Sequence, residues 1–216
     1  MKVEAESVEI RSGKESEWVT IVQTLMADQP FIYDTLLLAL DSLGFSQVRT
    51  INHVLSVQRG PGGSLKRVGA GTADSESRES LAQFVLPHIP EEPRDELVAD
   101  LRHRLRLAEA VVSDFAEMQE ETLRFREGLD NQSEGYEESS SYEVFSEAAK
   151  YLRWLTDHNF VMMGLQVLKV SSARKGGGQK LVLERSYGTE RIEFLPLEFE
   201  EDVRRMTRAK PGGTDS

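Results

Sequence analysis

Residues 29–45, QPFIYDTLLLALDSLGF, form a run whose helical reading organises everything around it. Most of the run is Phe, Ile, Tyr, Leu or Ala, so a helix here has too little polar surface to lie free on a domain. Proline suits a helix start because its missing N–H would have no intrahelical partner, and Gly44 supplies a left-handed stop. These signals predict a helix over Phe31–Leu43. Asp34 then lies in the first turn, where unpaired N–H groups and the helix dipole favour a negative charge. Asp34, Leu38 and Asp41 share a face at spacings of four and three, which leaves Leu38 bare unless something covers it. Such a helix calls for a sheet beneath it and another surface above.

The flanks supply the sheet. WVTIVQTLM at 18–26 mixes β-branched and large apolar residues in a strand-length run that stops at Ala27-Asp28-Gln29-Pro30. After Gly44, a strand is predicted over 48–59, with Ile51, His53, Leu55 and Val57 on one face and Thr50, Asn52, Ser56 and Gln58 on the other. GPGG at 60–63 marks a turn and SLKRVGA at 64–70 a returning strand. The polar loop GTADSESRES leads to a further strand, SLAQFVLPHI, ending near Pro87 or Pro90.

From Glu92 the period changes. Leu97, Leu101, Leu105, Ala108, Val112, Phe115, Met118, Thr122, Phe125 and Leu129 recur at steps of three and four, predicting one long helix with a narrow apolar stripe. About 35 residues at about 1.5 Å each make a rod of roughly 50 Å, longer than a small sheet can cover. GLDNQSEGYEESSS at 128–141 reads as a linker by composition. A second unit follows: an amphipathic helix carrying Phe145, Ala149, Leu152 and Leu155, a nearly all-apolar strand NFVMMGLQVLKV, a KGGGQ turn and a strand KLVLERSY. A short charged helix beyond Phe199 then fades into AKPGGTDS. This organisation predicts an α+β domain over 1–90, a long helix over 91–129, a linker over 130–141, a partial α+β unit over 142–206 and a disordered tail over 207–216.

Composition narrows the function. A formal charge of −11 over 216 residues argues against a nucleic-acid partner, which needs clustered Lys and Arg. The absence of cysteine removes disulfides, thiolate zinc sites and Cys nucleophiles together. The charged amino-terminal stretch lacks a signal-peptide core, and no window approaches the roughly 20 apolar residues of a membrane span. A cytoplasmic protein without membrane contact is the expectation.

Reactive constellations are equally sparse. There is no GxxxxGK[ST], HExxH or GxSxG, and VGAGTAD at 68–74 offers GxG without the third glycine and after a hairpin strand. The histidines at 53, 88, 103 and 158 show no metal-ligand spacing. His53, on the apolar face of its strand, reads as a core imidazole bonded to a backbone carbonyl, with a ligand contact as the alternative. Met162-Met163 reads as core filling, and EEDVRR at 200–205 as a solvated charge run.

Two stretches carry a family resemblance. QPFIYDTLLLALDSLGF…INHVLSVQRGPGGSL resembles the amino-terminal region of the large bacterial NAD-specific glutamate dehydrogenases, and AAKYLRWLTDHNFVMMGLQVL resembles a later segment of the same region. Pro30, Phe31, Asp34, Thr35, Leu43, Gly44, Val54, Leu55, Arg59, Leu152, Arg153, Trp154, Leu155, Phe160 and Gly164 carry the match. Asn52-His53 stands where the family tends to have His-Pro, and Leu165 where an aromatic is usual.

The resemblance implies an ACT-like, ferredoxin-like fold: an antiparallel sheet with helices on one face, acting as a regulatory module and not a catalytic one. It implies no cofactor in this stretch, since NAD and the substrate lysine belong to a distant carboxy-terminal region of the relatives. ACT domains bind amino acids at the turn between first strand and first helix, which makes Asp28, Gln29, Asp34, Asn52 and His53 candidate ligand contacts. That turn has no glycine here, so its side chains crowd a ligand backbone. Leu38 and Asp41 are the interface candidates. The expected partners are the remainder of a parent chain, identical subunits and an amino-acid effector. A free-standing amino-acid sensor acting on a separate enzyme is the alternative, and a small enzyme in its own right ranks last.

Overall fold

The strand–helix–strand signal around residues 29–45 becomes the centre of a curled, five-stranded antiparallel sheet in the computed structural model, which describes residues 1–13, 15–45, 49–69, 77–134, 140–172 and 179–193. The chain divides into two compact units between Glu109 and Ala110. In the first, strands β1 (Lys2–Ser12), β2 (Glu15–Ala27), β3 (Arg49–Arg59), β4 (Leu65–Gly69) and β5 (Ser77–Pro87) lie in the order β1-β2-β5-β3-β4. Helix α1 (Ile32–Ser42) connects β2 to β3, and β5 inserts antiparallel between those two strands. β2–α1–β3 is therefore a split βαβ unit, which reconciles a crossover helix with a wholly antiparallel sheet.

Both ends of α1 follow from its sequence. The amides of Leu43, Gly44 and Phe45 return to the carbonyls of Ala39, Asp41 and Leu40. With Gly44 at φ 77°, this is a Schellman stop, and Phe45 tucks against the core. At the start, Phe31 and not Pro30 is the cap, at φ 71° and without a side-chain hydrogen bond to the free amides. Ile32, Leu36, Ala39 and Leu40 are buried, while Asp34, Leu38 and Asp41 form the exposed face that their spacing predicts.

The core lies between one sheet face and the two helices α1 and α2 (Glu91–Glu134). Val3, Val22, Met26, Ala82, Phe84 and Leu86 face Leu36 and Leu40 of α1 and Leu97, Leu101 and Leu105 of α2. Tyr33 stacks on Phe84 at 5.8 Å between ring centroids, and its hydroxyl reaches Thr50 at 3.1 Å, which fixes α1 over β5 and β3.

Strand β1 is absent from the sequence reading. Its alternation is present, with Val3, Ala5 and Ser7 on the core side and Lys2, Glu4 and Glu6 opposite, but the glutamates mask it. β3 overturns a second expectation. Phe84 of the core is paired with Thr50, so the polar set of β3 faces the helices and Ile51, His53 and Leu55 face away; Val57, of the same expected face, is buried. Near the end of the sheet the strand is open on both sides over residues 49–54, and His53 is exposed, not a core imidazole.

In the second unit, residues 110–134 of α2 are accompanied by α3 (Ser140–Trp154), a π-helical turn (Leu155–Asn159) holding His158, strands β6 (Gly164–Ser172) and β7 (Gln179–Gly188), and the short α4 (Thr189–Ile192). Residues 128–134 continue α2, where composition reads linker: Leu129 keeps the apolar stripe in phase, and period outweighs polarity. β6 begins only at Gly164. Met162 is buried, but Phe160, Val161 and Met163 lie ahead of the strand and are exposed, so only half of the methionine pair fills core. The 68–74 loop from Ala70 onward, most of the KGGGQ turn, EEDVRR and the tail lie outside the described residues.

Candidate functional site

The turn between β2 and α1 is the first place where polar groups gather. The Asp28 amide donates to the Arg78 carbonyl at 2.9 Å, and its carboxylate pairs with the Arg78 guanidinium at 3.1 Å. Gln29 next to it encloses its Nε2 without a hydrogen-bond partner, an arrangement that carries a desolvation cost. Asp34 stands exposed one turn into α1, beside uncapped amides. Asn52 shares the α1 side of the sheet with Thr50, whereas His53 points to the opposite side, because neighbouring strand residues alternate. The turn therefore groups Asp28 with Gln29 and places Asn52 on the helix side; it does not bring in His53.

Leu38 is 69% exposed, flanked on the helix by Asp34 and Asp41, and Phe31 and Leu43 at the helix ends are also exposed. The outer side of α1 is thus an apolar strip with an acidic border.

Across the sheet, Arg59 and Glu79 form a bidentate pair at 2.6 and 2.7 Å, and Arg59 also donates to the Gly63 carbonyl at 2.8 Å. Arg59 thereby ties the Pro61–Gly63 turn to β5. The hydrogen bond from Arg59 holds the Glu79 carboxyl below the usual range, and the same bond raises the Arg59 guanidinium. A depressed carboxylate contributes stability that is present above the unfolded pKa, about 4.3, and is lost as pH falls through the lower folded value. Glu79→Gln is expected to lower the urea midpoint at neutral pH and to remove this part of the loss on acidification. Midpoints compared at about pH 7 and about pH 3 check both signs.

The second unit holds two buried carboxylates, neither of which stands out in the sequence as a site. Asp114 and Glu121 fall on the stripe marked by Val111 and Met118, at positions where an apolar residue is the rule. Asp114 accepts the Gly188 amide at 2.9 Å and meets Arg191 at 3.3 Å, locking the β7–α4 corner to α2. Glu121 accepts from Arg185 at 2.6 Å, from Arg124 at 2.9 Å and from the Tyr187 hydroxyl at 3.4 Å. An acidic residue in phase with an apolar stripe is the signal that exposes both. Among the described residues no three or more His, Asp or Glu side chains converge as metal ligands, and no helix is long and apolar enough to cross a membrane.

Comparison with known proteins agrees with the architecture. Residues 2–105 match the family described as glutamate dehydrogenase, ACT1 domain. Over 154 residues the chain is 29% identical to the NAD-specific glutamate dehydrogenase of Halomonas elongata, an alignment that covers 70% of this chain and 9% of that protein. The chain therefore spans only a small part of the relative it resembles. The matched region holds the five-stranded sheet, α1 and the part of α2 that covers them, and over residues 2–105 the chain is similar to the ACT1 domain of glutamate dehydrogenases.

Proposed function

We propose that this chain is a noncatalytic regulatory and assembly region of an NAD-specific glutamate dehydrogenase. In that enzyme, L-glutamate would be oxidatively deaminated to 2-oxoglutarate, with NAD and the substrate held by other parts of the polypeptide. The observation that carries the reading is the ACT1 match over residues 2–105. The relative leaves more than nine-tenths of its own length outside the alignment, ample chain to cover the apolar strip on α1. A further domain of the same polypeptide is the proposed occupant of that strip. An amino-acid effector at the β2–α1 turn, near Asp28, Gln29, Asp34 and Asn52, would act by binding one arrangement of the domains better than another.

Leu38→Lys in the parent enzyme tests this. Lysine four residues after Asp34 and three before Asp41 gains two helical ion pairs, so α1 itself is maintained or slightly strengthened. Only the apolar contact is lost. The expected outcome is glutamate-dependent NADH formation with weakened domain or subunit association and a blunted effector response. An assembly and response identical to wild type would remove the contact role.

A further inference from the structure

The second unit contains a cavity of about 500 Å³, inside the range typical of small-molecule sites. Its walls are apolar: Phe125 and Leu129 from α2, Leu152 from α3 and Leu165 from β6. One end is polar, formed by Glu121, Arg124 and Arg185. Glu121 is 5% exposed along its side chain, and the three bonds from Arg185, Arg124 and Tyr187 all converge on its Oε1. The Arg185 and Arg124 side chains remain 46% and 61% exposed, and their guanidiniums carry more N–H donors than these bonds consume. Glu120, outside the lining, lies 3.6 Å from Arg124, so the lining charges and this neighbour sum to zero.

We propose that this cavity binds an α-amino acid with an apolar side chain. A neutral but strongly dipolar end offers little net attraction to a simple anion or cation, yet it matches a zwitterion on both sides. The ligand carboxylate would accept from the spare N–H groups of Arg124 and Arg185. The ligand ammonium would donate to the second oxygen of Glu121, and the side chain would lie among Phe125, Leu129, Leu152 and Leu165. The site is separate from the β2–α1 turn and does not depend on the assembly role proposed above.

Gly128 gives the test a clean handle. It lies in α2 on the cavity lining, and a Cβ built there meets nothing within 4 Å. Gly128→Leu replaces a poor helix former with a good one and sends its side chain toward the open space. Calorimetric titration of the 216-residue chain with L-leucine is expected to show saturable binding. L-leucinamide, which lacks the carboxylate, and 4-methylpentanoate, which lacks the ammonium, are each expected to bind at least about tenfold more weakly. Gly128→Leu should abolish binding of L-leucine while unfolding in urea no earlier than wild type. No saturable heat with L-leucine, equal binding of either analogue, or undiminished binding by Gly128→Leu would each overturn the proposal. The last outcome would move the ligand to another site, such as the first unit's turn, and leave the assembly reading untouched.

Discussion

Gly188→Ala is expected to destabilise the second unit by about 3 kcal/mol or more, from backbone strain and collision together. Gly188 has φ 61° and ψ −134°, a conformation that is costly for any residue with a Cβ. An added Cβ would lie 2.3 Å from the Met163 carbonyl oxygen and 3.1 Å from the Gly164 Cα. Both are backbone atoms, one just ahead of β6 and one at its first residue, and Gly188 is registered opposite Gly164, so neither can rotate away. The shift needed would also pull the Gly188 amide from the buried Asp114 carboxylate and the Thr189 amide from the Met163 carbonyl. Each unit holds one of the two tryptophans, Trp18 in the first and Trp154 in the second. In a Trp18→Phe background, fluorescence therefore reports the second unit alone. Its urea midpoint should fall by about 1 M or more. An unchanged midpoint would mean that the β6–β7 ends do not meet as described.

Phe84→Ala should cost the first unit about 3–5 kcal/mol, the range for removing a wholly buried ring. Phe84 is fully enclosed, pairs with Val22 and Thr50 on its two neighbouring strands, and carries the stacked Tyr33 ring. Its loss leaves a cavity under α1 and releases the Tyr33–Thr50 hydrogen bond that orients the helix over β3. With Trp154 replaced by Phe, Trp18 fluorescence should show the loss in the first unit. A loss under about 1 kcal/mol would show that α1 does not rest on β5.

The fold was legible wherever hydrophobic period was strong. The α1 stripe, the Gly44 stop, β5 and the first half of the α2 stripe, Leu97, Leu101, Leu105 and Ala108, agree with the structure, because burial on one side leaves a periodic trace in the residues; further along α2 the buried positions are Val111, Asp114, Met118 and Glu121, and Phe125 is exposed. It failed where charge or symmetry hid that trace. β1 alternates, but Glu4 and Glu6 on its outward side and Glu9 on its inward side hide the apolar period. In β3 both sides are partly open over residues 49–54, so its more apolar side, with His53, reads as the inner one. No pattern within β3 identifies its inner face; only its pairing with Phe84 does.

The site was less legible than the fold. Leu38 between Asp34 and Asp41 was visible because helical spacing alone puts those three residues together. The β2–α1 turn was singled out by family resemblance, and its unpartnered Gln29 amide emerges only from the packing. Asp114 and Glu121 are hidden in the sequence because a stripe defined by apolar residues skips the acidic positions within it. The partners that make them tolerable, Arg185, Arg191 and the Gly188 amide, lie some 64 to 77 residues away in sequence.

Sedimentation velocity of the parent enzyme carrying Leu38→Lys puts the contact role of α1 to trial most directly. The expected result is a smaller or expanded particle than wild type at the same concentration, while the isolated 216-residue variant keeps the thermal midpoint of its own wild type. An unaltered sedimentation profile across the concentration range would contradict it.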